Sequence, residues 1–109
     1  MSWEEDIKKV FPDWLTEKGI NEFKSSNIEL EINQYVKGKV IARAEFGVWV
    51  DIGVGYPALL LVVNFANRNA KAENFIGYPT IGEIVEAKIN ALGPKAEIGL
   101  TQNQFDNKT

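Results

Sequence analysis

The sequence contains neither cysteine nor histidine among its 109 residues. Without cysteine there is no disulfide framework and no thiolate ligand, and the lack of histidine as well removes nearly all zinc chemistry. Nucleophilic catalysis by Ser-His-Asp or Cys-His groups is excluded for the same reason. Carboxylates and lysines remain, but no pair of them has a spacing that suggests an active site. We therefore expect a protein that is not an enzyme and that has no catalytic residues, metal or cofactor.

Apolar runs of the length needed to cross a membrane are also missing. The first residues, from Ser2 to Asp6, are acidic where a secretory signal would be basic. The length fits one domain, and 45% hydrophobic with 25% charged residues is usual for a soluble globular protein. We expect a cytoplasmic protein with no membrane partner.

A strongly basic surface is the third thing that the chain lacks. Its formal net charge is −3, with −4 in residues 1–31 and +1 in the remainder. Proteins that bind nucleic acids usually have a basic face, because neutralised phosphates supply most of the affinity. The acidity therefore belongs to the N-terminal segment, and the rest of the chain is almost neutral.

The N-terminal segment has the pattern of two short helices. Ser2 and Glu5 have the spacing of a capping box, and a first helix is predicted over residues 2–11, ending at Pro12. A second helix is predicted over residues 13–24. An apolar stripe at helical spacing is expected to pack on the rest of the chain, or alternatively on a partner; it consists of Trp3, Ile7, Val10 and Trp14. The second helix is expected to turn Trp14, Leu15 and Phe23 toward the core.

From Ile28 onward, apolar and polar residues alternate, which predicts β-strands. The predicted strands cover residues 28–44, 46–52, 58–63, 81–91 and 96–101, with a short helix within residues 67–75. Five short strands with a helical connection between the third and the fourth predict an all-β fold. It is a five-stranded OB-fold Greek-key barrel with an N-terminal helical extension. The expected division is a helical extension (1–31) packing on the barrel, the barrel domain (32–102) and a flexible tail (103–109).

Four motifs occur in order along the predicted barrel: Ile32–Val40, Phe46–Gly53, Ile81–Ile89 and Ile98–Thr101. Together they resemble the S1-type RNA-binding domain, an OB-fold family, over residues 33–101. Asn33 stands where that family usually has glycine, and asparagine also accepts a positive φ. Each motif alone is weak, but four in the right order make the fold assignment fairly specific.

The resemblance implies a site for single-stranded RNA on the outer face of the second and third strands. Aromatic rings stack on bases in such sites, and basic groups follow the phosphates. Phe46 and Trp49 occupy the two stacking positions. Residues three apart on a strand face opposite sides, so we expect a bulge near Gly47 to turn both rings outward. The cations of a sparse phosphate track would be Lys37, Lys39, Arg43, Lys88 and Lys95.

Three contact positions depart from the family pattern. Leu61 replaces a histidine, Gly93 stands where aspartate is common, and Glu97 stands where arginine or lysine is usual. Glu97 changes the local charge by two units and should repel phosphate. Leu61 is instead a candidate for an apolar interface.

Two functions follow as alternatives. The first is a non-catalytic module that binds single-stranded RNA weakly. The second is a protein-interaction module, a regulator or an immunity-type protein, that has kept the OB-fold and lost RNA binding. The partner is accordingly single-stranded RNA or another protein. Phe46 and Trp49 could also be buried under the N-terminal helix, and the lysines could simply be solvated residues that protect strand edges.

Overall fold

The computed structural model describes residues 2–26 and 28–103. Within them, two α-helices precede five β-strands: α1 (Trp3–Val10), α2 (Glu17–Lys24), β1 (Tyr35–Ala44), β2 (Gly47–Asp51), β3 (Ala58–Leu61), β4 (Ile84–Leu92) and β5 (Ile98–Thr101). Two short 3₁₀ turns, Val62–Asn64 and Glu73–Phe75, lie between β3 and β4. Most of the predicted tail, residues 104–109, lies outside the described residues.

The described strands close into a barrel in the order β1-β2-β3-β5-β4. All neighbouring pairs are antiparallel except β3 and β5, which are parallel, and β4 pairs back onto β1. The predicted all-β OB-fold barrel is thereby confirmed. Its interior is filled by aliphatic side chains that are almost completely buried, chiefly Val40, Val48, Val50, Leu60, Ile89 and Leu100.

Alternation along the strands decides which side chains enter the barrel. In β4, Val85, Ala87 and Ile89 are buried, whereas Ile84 is 55% exposed. Successive side chains of a strand point to opposite faces, so one face of β4 is apolar and the other is solvated.

The helical extension begins as the sequence predicts. The Ser2 side chain accepts a hydrogen bond from the Glu5 backbone N–H at 3.3 Å, which caps α1. The second helix starts later than predicted, because Thr16 is its N-cap and accepts from the Gly19 N–H at 3.0 Å. The chain turns just before this cap, with Leu15 at φ +66°. Leu15 is consequently 63% exposed, and the prediction that it faces the core is wrong.

Residues 28–34 differ from the prediction, because those that the structure describes form no strand. Ile32 and Asn33 form a turn with Asn33 at φ +73°, as its substitution for glycine suggested. The Asn33 N–H donates to the Ile89 carbonyl at 2.7 Å, which fixes the entry into β1. The helix predicted within residues 67–75 is reduced to the 3₁₀ turn at its end.

Candidate nucleic-acid interface

The outer face of β2 is dominated by one aromatic residue, Trp49. It pairs with Leu59 of β3 and with Ala42 of β1, whereas its neighbours Val48 and Val50 point into the barrel. Directly paired residues share a face of the sheet. Trp49 therefore lies on the outside of the barrel, where the family resemblance places a stacking ring.

Trp49 is covered by the helical extension. The ring centroid of Trp3, in α1, lies 5.8 Å from that of Trp49, and the two planes are only 14° apart. Trp14 meets Trp49 edge-on at 5.4 Å, and Trp3 meets Phe46 edge-on at 5.3 Å. These four rings form the aromatic cluster. Trp49 is half-buried within it, and Phe46 is 40% exposed at its margin.

Phe46 reaches the cluster without the expected bulge. It lies in the turn between β1 and β2, so strand alternation does not fix its direction. The prediction of a bulge near Gly47 is therefore wrong in its position. The register of the β1–β2 pair shifts instead between Val40 and Ala42. Gly47 has another role: a Cβ there would lie 2.3 Å from the Leu60 carbonyl oxygen, so it permits close approach of β3.

A groove of about 600 Å³ runs beside Trp49 between the helical extension and the barrel. Trp14 and Ile20 form one wall, and Trp49 and Leu61 belong to the other. Lys95 and Glu97, at the β4–β5 turn, provide charged groups along it, and Leu59 and Gly99 also line it. We call this feature the β2–β3–β5 groove. Leu61 is 37% exposed here, so the position that resembles the family histidine opens onto an apolar surface.

The five predicted cations do not form one track. Lys95 lines the β2–β3–β5 groove together with Trp49. Lys37 and Lys39 are exposed on the first half of β1, opposite Glu86 and Asp51 respectively. Each of these lysines therefore has a carboxylate as its cross-strand neighbour, which weakens the positive field.

The other two cations lie on opposite faces of the sheet. Lys88 lies on β4 opposite Tyr35, on the outer face that also carries the lysines of β1. A hydrogen bond with Glu86 raises the pKa of the Tyr35 phenol, with further contributions from burial and from the Glu86 charge. Arg43 follows the bulge in β1, and its guanidinium lies 4.8 Å from the centre of the Phe75 ring, at the β3–β4 connection. The bulge reverses which face of the sheet the following side chains of β1 take, so Arg43 does not share a face with the lysines.

Two departures from the family pattern are structurally linked. The Glu97 carboxylate accepts a hydrogen bond from the Lys95 N–H at 3.2 Å, and the Gly93 N–H donates to the Glu97 carbonyl at 2.8 Å. A Cβ at position 93 would lie 2.0 Å from the Glu97 carboxylate. Glu97 therefore folds back over the turn into the space that a side chain at position 93 would occupy.

One buried donor in the aromatic cluster is unpaired. The Trp49 indole nitrogen, Nε1, is enclosed and has no hydrogen-bond partner among the described residues. A buried N–H without an acceptor costs free energy.

The contact between Trp3 and Trp49 agrees with one of the alternatives that the sequence left open, burial of Trp49 under the N-terminal helix. The apolar stripe of α1 did not by itself specify that ring stack. A residue that the sequence missed is Tyr56, which is buried in the β2–β3 loop. Its phenol oxygen accepts from the Leu15 N–H at 3.1 Å, and its ring lies 5.5 Å from that of Phe23 in α2.

Comparison with solved structures identifies the barrel. An uncharacterised protein from Methanocaldococcus jannaschii superposes with a TM-score of 0.56 at 18% identity, over 72% of this chain and 100% of that one. GSP13 from Bacillus subtilis gives 0.58 at 16% identity, over 74% of this chain and 65% of that one. A proposed exosome complex RNA-binding protein gives 0.58 at 22% identity, over 71% and 46%. The chain has an S1-like OB-fold.

The likeness of this S1-like barrel to those structures is one of fold. No family model matches the chain. The match spans 65% of GSP13 and about half of the exosome protein, so those chains contain further regions. Among residues 2–26 and 28–103, no helix is long and apolar enough to cross a membrane, and no group of three or more acidic side chains is arranged to hold a metal ion.

Proposed function

We propose that this S1-like barrel is a non-catalytic module that binds single-stranded RNA weakly along the outer face of β2 and β3. The observation that carries the proposal is the position of Trp49. Its ring lies on that face, meets the same Trp3 ring as Phe46 does, and lines a groove that also reaches Lys95. Rings and a cation at the margin of a groove are what a stacked, negatively charged strand requires.

The accessible parts of the site suit bases better than phosphates. Phe46 presents 40% of its surface, and the walls of the β2–β3–β5 groove are mainly apolar, with Leu59 and Leu61 beside Trp49. Stacking on aromatic rings does not depend on base identity, because every base has a π-face. We therefore propose that binding is sequence-tolerant.

The charge distribution limits the affinity. Glu97 lies in the groove next to Lys95, and Lys37 and Lys39 each face a carboxylate across the sheet. Few phosphates can be neutralised, so electrostatics contribute little. One structural neighbour is a proposed exosome complex RNA-binding protein, which is consistent with an RNA ligand. A cytoplasmic location, where single-stranded RNA is present, belongs to the same proposal.

Fluorescence anisotropy with labelled oligo-U and oligo-A at low salt tests this function. We expect dissociation constants in the range of weak, non-specific binding, about 10⁻⁴–10⁻⁶ M, that weaken as salt is added. Lys95→Gln should reduce affinity, because Lys95 lines the groove and its substitution leaves the backbone hydrogen bonds of the turn in place.

Lys24→Gln is the matched control, because Lys24 is an exposed lysine at the end of α2, outside the groove. It removes the same charge and should leave affinity nearly unchanged. Absence of binding at protein concentrations up to about 1 mM, ten times the weak end of that range, would overturn the proposed function.

A further inference from the structure

We propose that α1 is an autoinhibitory lid, with the Trp3 ring in the place that an RNA base would take against Trp49. This inference rests on the proposed RNA-binding function and concerns the regulation of the same site. It follows from the position of the ring, the acidic first turn of the helix that carries it and the short length of that helix.

The position of Trp3 is that of a stacked base. Its plane is 14° from that of Trp49, with centroids 5.8 Å apart, and its edge contacts Phe46 at 5.3 Å. Offset stacking of this kind is also how bases lie on aromatic side chains. One side chain of the protein thus covers the face of Trp49 and contacts the second ring of the site. A base can reach that face of Trp49 only if Trp3 leaves.

The charge of α1 opposes RNA as well. Glu4, Glu5 and Asp6 follow Trp3 directly, in the first turn of the helix. These carboxylates repel phosphates near the covering ring, while two lysines in the last turn offset two of the charges and one of them, Lys9, pairs with Asp6 at 3.7 Å. The docked helix therefore excludes RNA mainly by occupying the stacking position.

The helix packs on β1 through one completely buried side chain. Ile7 is its buried residue, and Trp3 is only partly buried. With eight residues, α1 is too short to be stable away from the barrel. Undocking would therefore also unfold it. The segment that follows has its own attachment, because Leu15 is hydrogen-bonded to Tyr56. In this proposal the lid opens while the hydrogen bond between Leu15 and Tyr56 keeps the following segment on the barrel.

The closed state also contains an unpaired buried donor. The Trp49 Nε1 atom is buried without a partner among the described residues, and both Trp3 and Trp14 lie against its ring. In this proposal the departure of Trp3 lets this N–H donate to water or to an acceptor on RNA. RNA therefore selects the open state, and the measured affinity is the intrinsic affinity reduced by the open fraction.

The test compares wild-type protein with Trp3→Ala in titrations against labelled oligo-U. Removing a ring contact of the strength found for aromatic pairs should raise RNA affinity about threefold to tenfold. Ile7→Ala loosens α1 without touching the ring stack and should raise affinity in the same direction. Val10→Ala is the control, since Val10 is exposed in α1 and outside the aromatic cluster. It should leave affinity unchanged. Circular dichroism verifies that each variant keeps its barrel.

A second measurement follows α1 directly. Hydrogen exchange of its backbone amides in the wild-type protein should become faster when oligo-U is added, because RNA binding displaces and unfolds the helix. Exchange that is unchanged or slower in the RNA complex would contradict the lid, even if RNA binds.

The outcomes separate the two proposals. Tighter binding by both lid variants, with Val10→Ala unchanged, supports the lid. If the wild-type protein binds RNA and the folded Trp3→Ala and Ile7→Ala variants bind it equally or more weakly, the lid is overturned. The RNA-binding function then still stands. Lack of binding by the wild-type protein at concentrations up to about 1 mM overturns the RNA-binding function, and the lid with it.

Discussion

The phenol oxygen of Tyr56 accepts a hydrogen bond from the backbone N–H of Leu15 at 3.1 Å, across 41 positions of sequence. This contact joins the turn between the two helices to the β2–β3 loop. The Tyr56 ring is also packed against Phe23 of α2. This attachment belongs to the same buried cluster as Ile7 of α1 and Trp14, so the two helices are joined to the barrel through one continuous apolar contact.

Tyr56→Phe should weaken that attachment. The substitution keeps the buried ring but removes the acceptor of the Leu15 N–H, so we expect a loss of about 0.5–1.5 kcal/mol in the free energy of unfolding. Urea denaturation followed by circular dichroism measures it. Tyr35→Phe, at an exposed position on β1, is the control and should cost less. Equal stability of Tyr56→Phe and wild type would show that this hydrogen bond contributes nothing.

The sequence predicts the barrel well because strand alternation and turn chemistry are local. The alternation along β4 and the positive φ of Asn33 both depend on neighbouring residues, whereas the sequence left open which face of β4 turns inward. The face that α1 covers is not local, since an amphipathic stripe specifies burial without specifying a partner. The bulge in β1 is a second feature that the local pattern did not predict. It reverses the alternation of side chains after Lys39, so Arg43 contacts Phe75 and does not join the other cations.

The difference between local and long-range packing also explains how much of the candidate site the sequence predicted. Family resemblance places Phe46 and Trp49 on adjacent positions of the outer face, and the structure has them in one cluster. Their cover, Trp3, lies in a segment that the resemblance does not include. Only packing between the two segments brings the rings together.

Gly38→Ala should destabilise the barrel strongly. A Cβ at this position would lie 2.4 Å from the Asp51 carbonyl oxygen and 2.7 Å from a Val50 methyl carbon, so β1 and β2 would have to separate. We expect a loss of about 1–3 kcal/mol, the range for overpacked cores. Thermal or urea denaturation gives the value. Lys39→Ala, at the next and exposed position of the same strand, should change stability little.

Stability should fall at alkaline pH in part through Tyr78. Burial, and secondarily the charge of Glu45, raises the pKa of this phenol above 10.0. In addition, Tyr78 donates a hydrogen bond to the Glu45 carbonyl. A phenol whose pKa is higher in the folded state stabilises the protein below pH 10, and this contribution is lost as the pH rises toward the folded pKa.

Urea denaturation of wild type and Tyr78→Phe between about pH 9 and pH 11 tests the assignment. The variant lacks the ionisable group, so its stability should fall less steeply over this range. Parallel curves for the two proteins would show that Tyr78 does not contribute to the alkaline loss.

Glu97→Lys should strengthen RNA binding, because it places a cation in the β2–β3–β5 groove at a position where the family usually has one. The change adds two charge units next to Lys95, and each additional phosphate that is neutralised on a single strand steepens the salt dependence by about 0.7 in the slope of log K against log salt. Anisotropy titrations with oligo-U over a range of salt concentrations measure both quantities. Glu97 also caps the turn through the Lys95 N–H, so some stability should be lost.

Glu97→Gln separates these two effects. Glutamine can still accept the hydrogen bond from the Lys95 N–H but carries no charge, so it should retain the stability of the turn and give an RNA affinity between those of wild type and Glu97→Lys. That order, with the salt slope steepest for the lysine variant, is the expected result. If all three proteins bind oligo-U equally at low salt, RNA phosphates do not pass the β4–β5 turn, and the path of the strand along the groove must be revised.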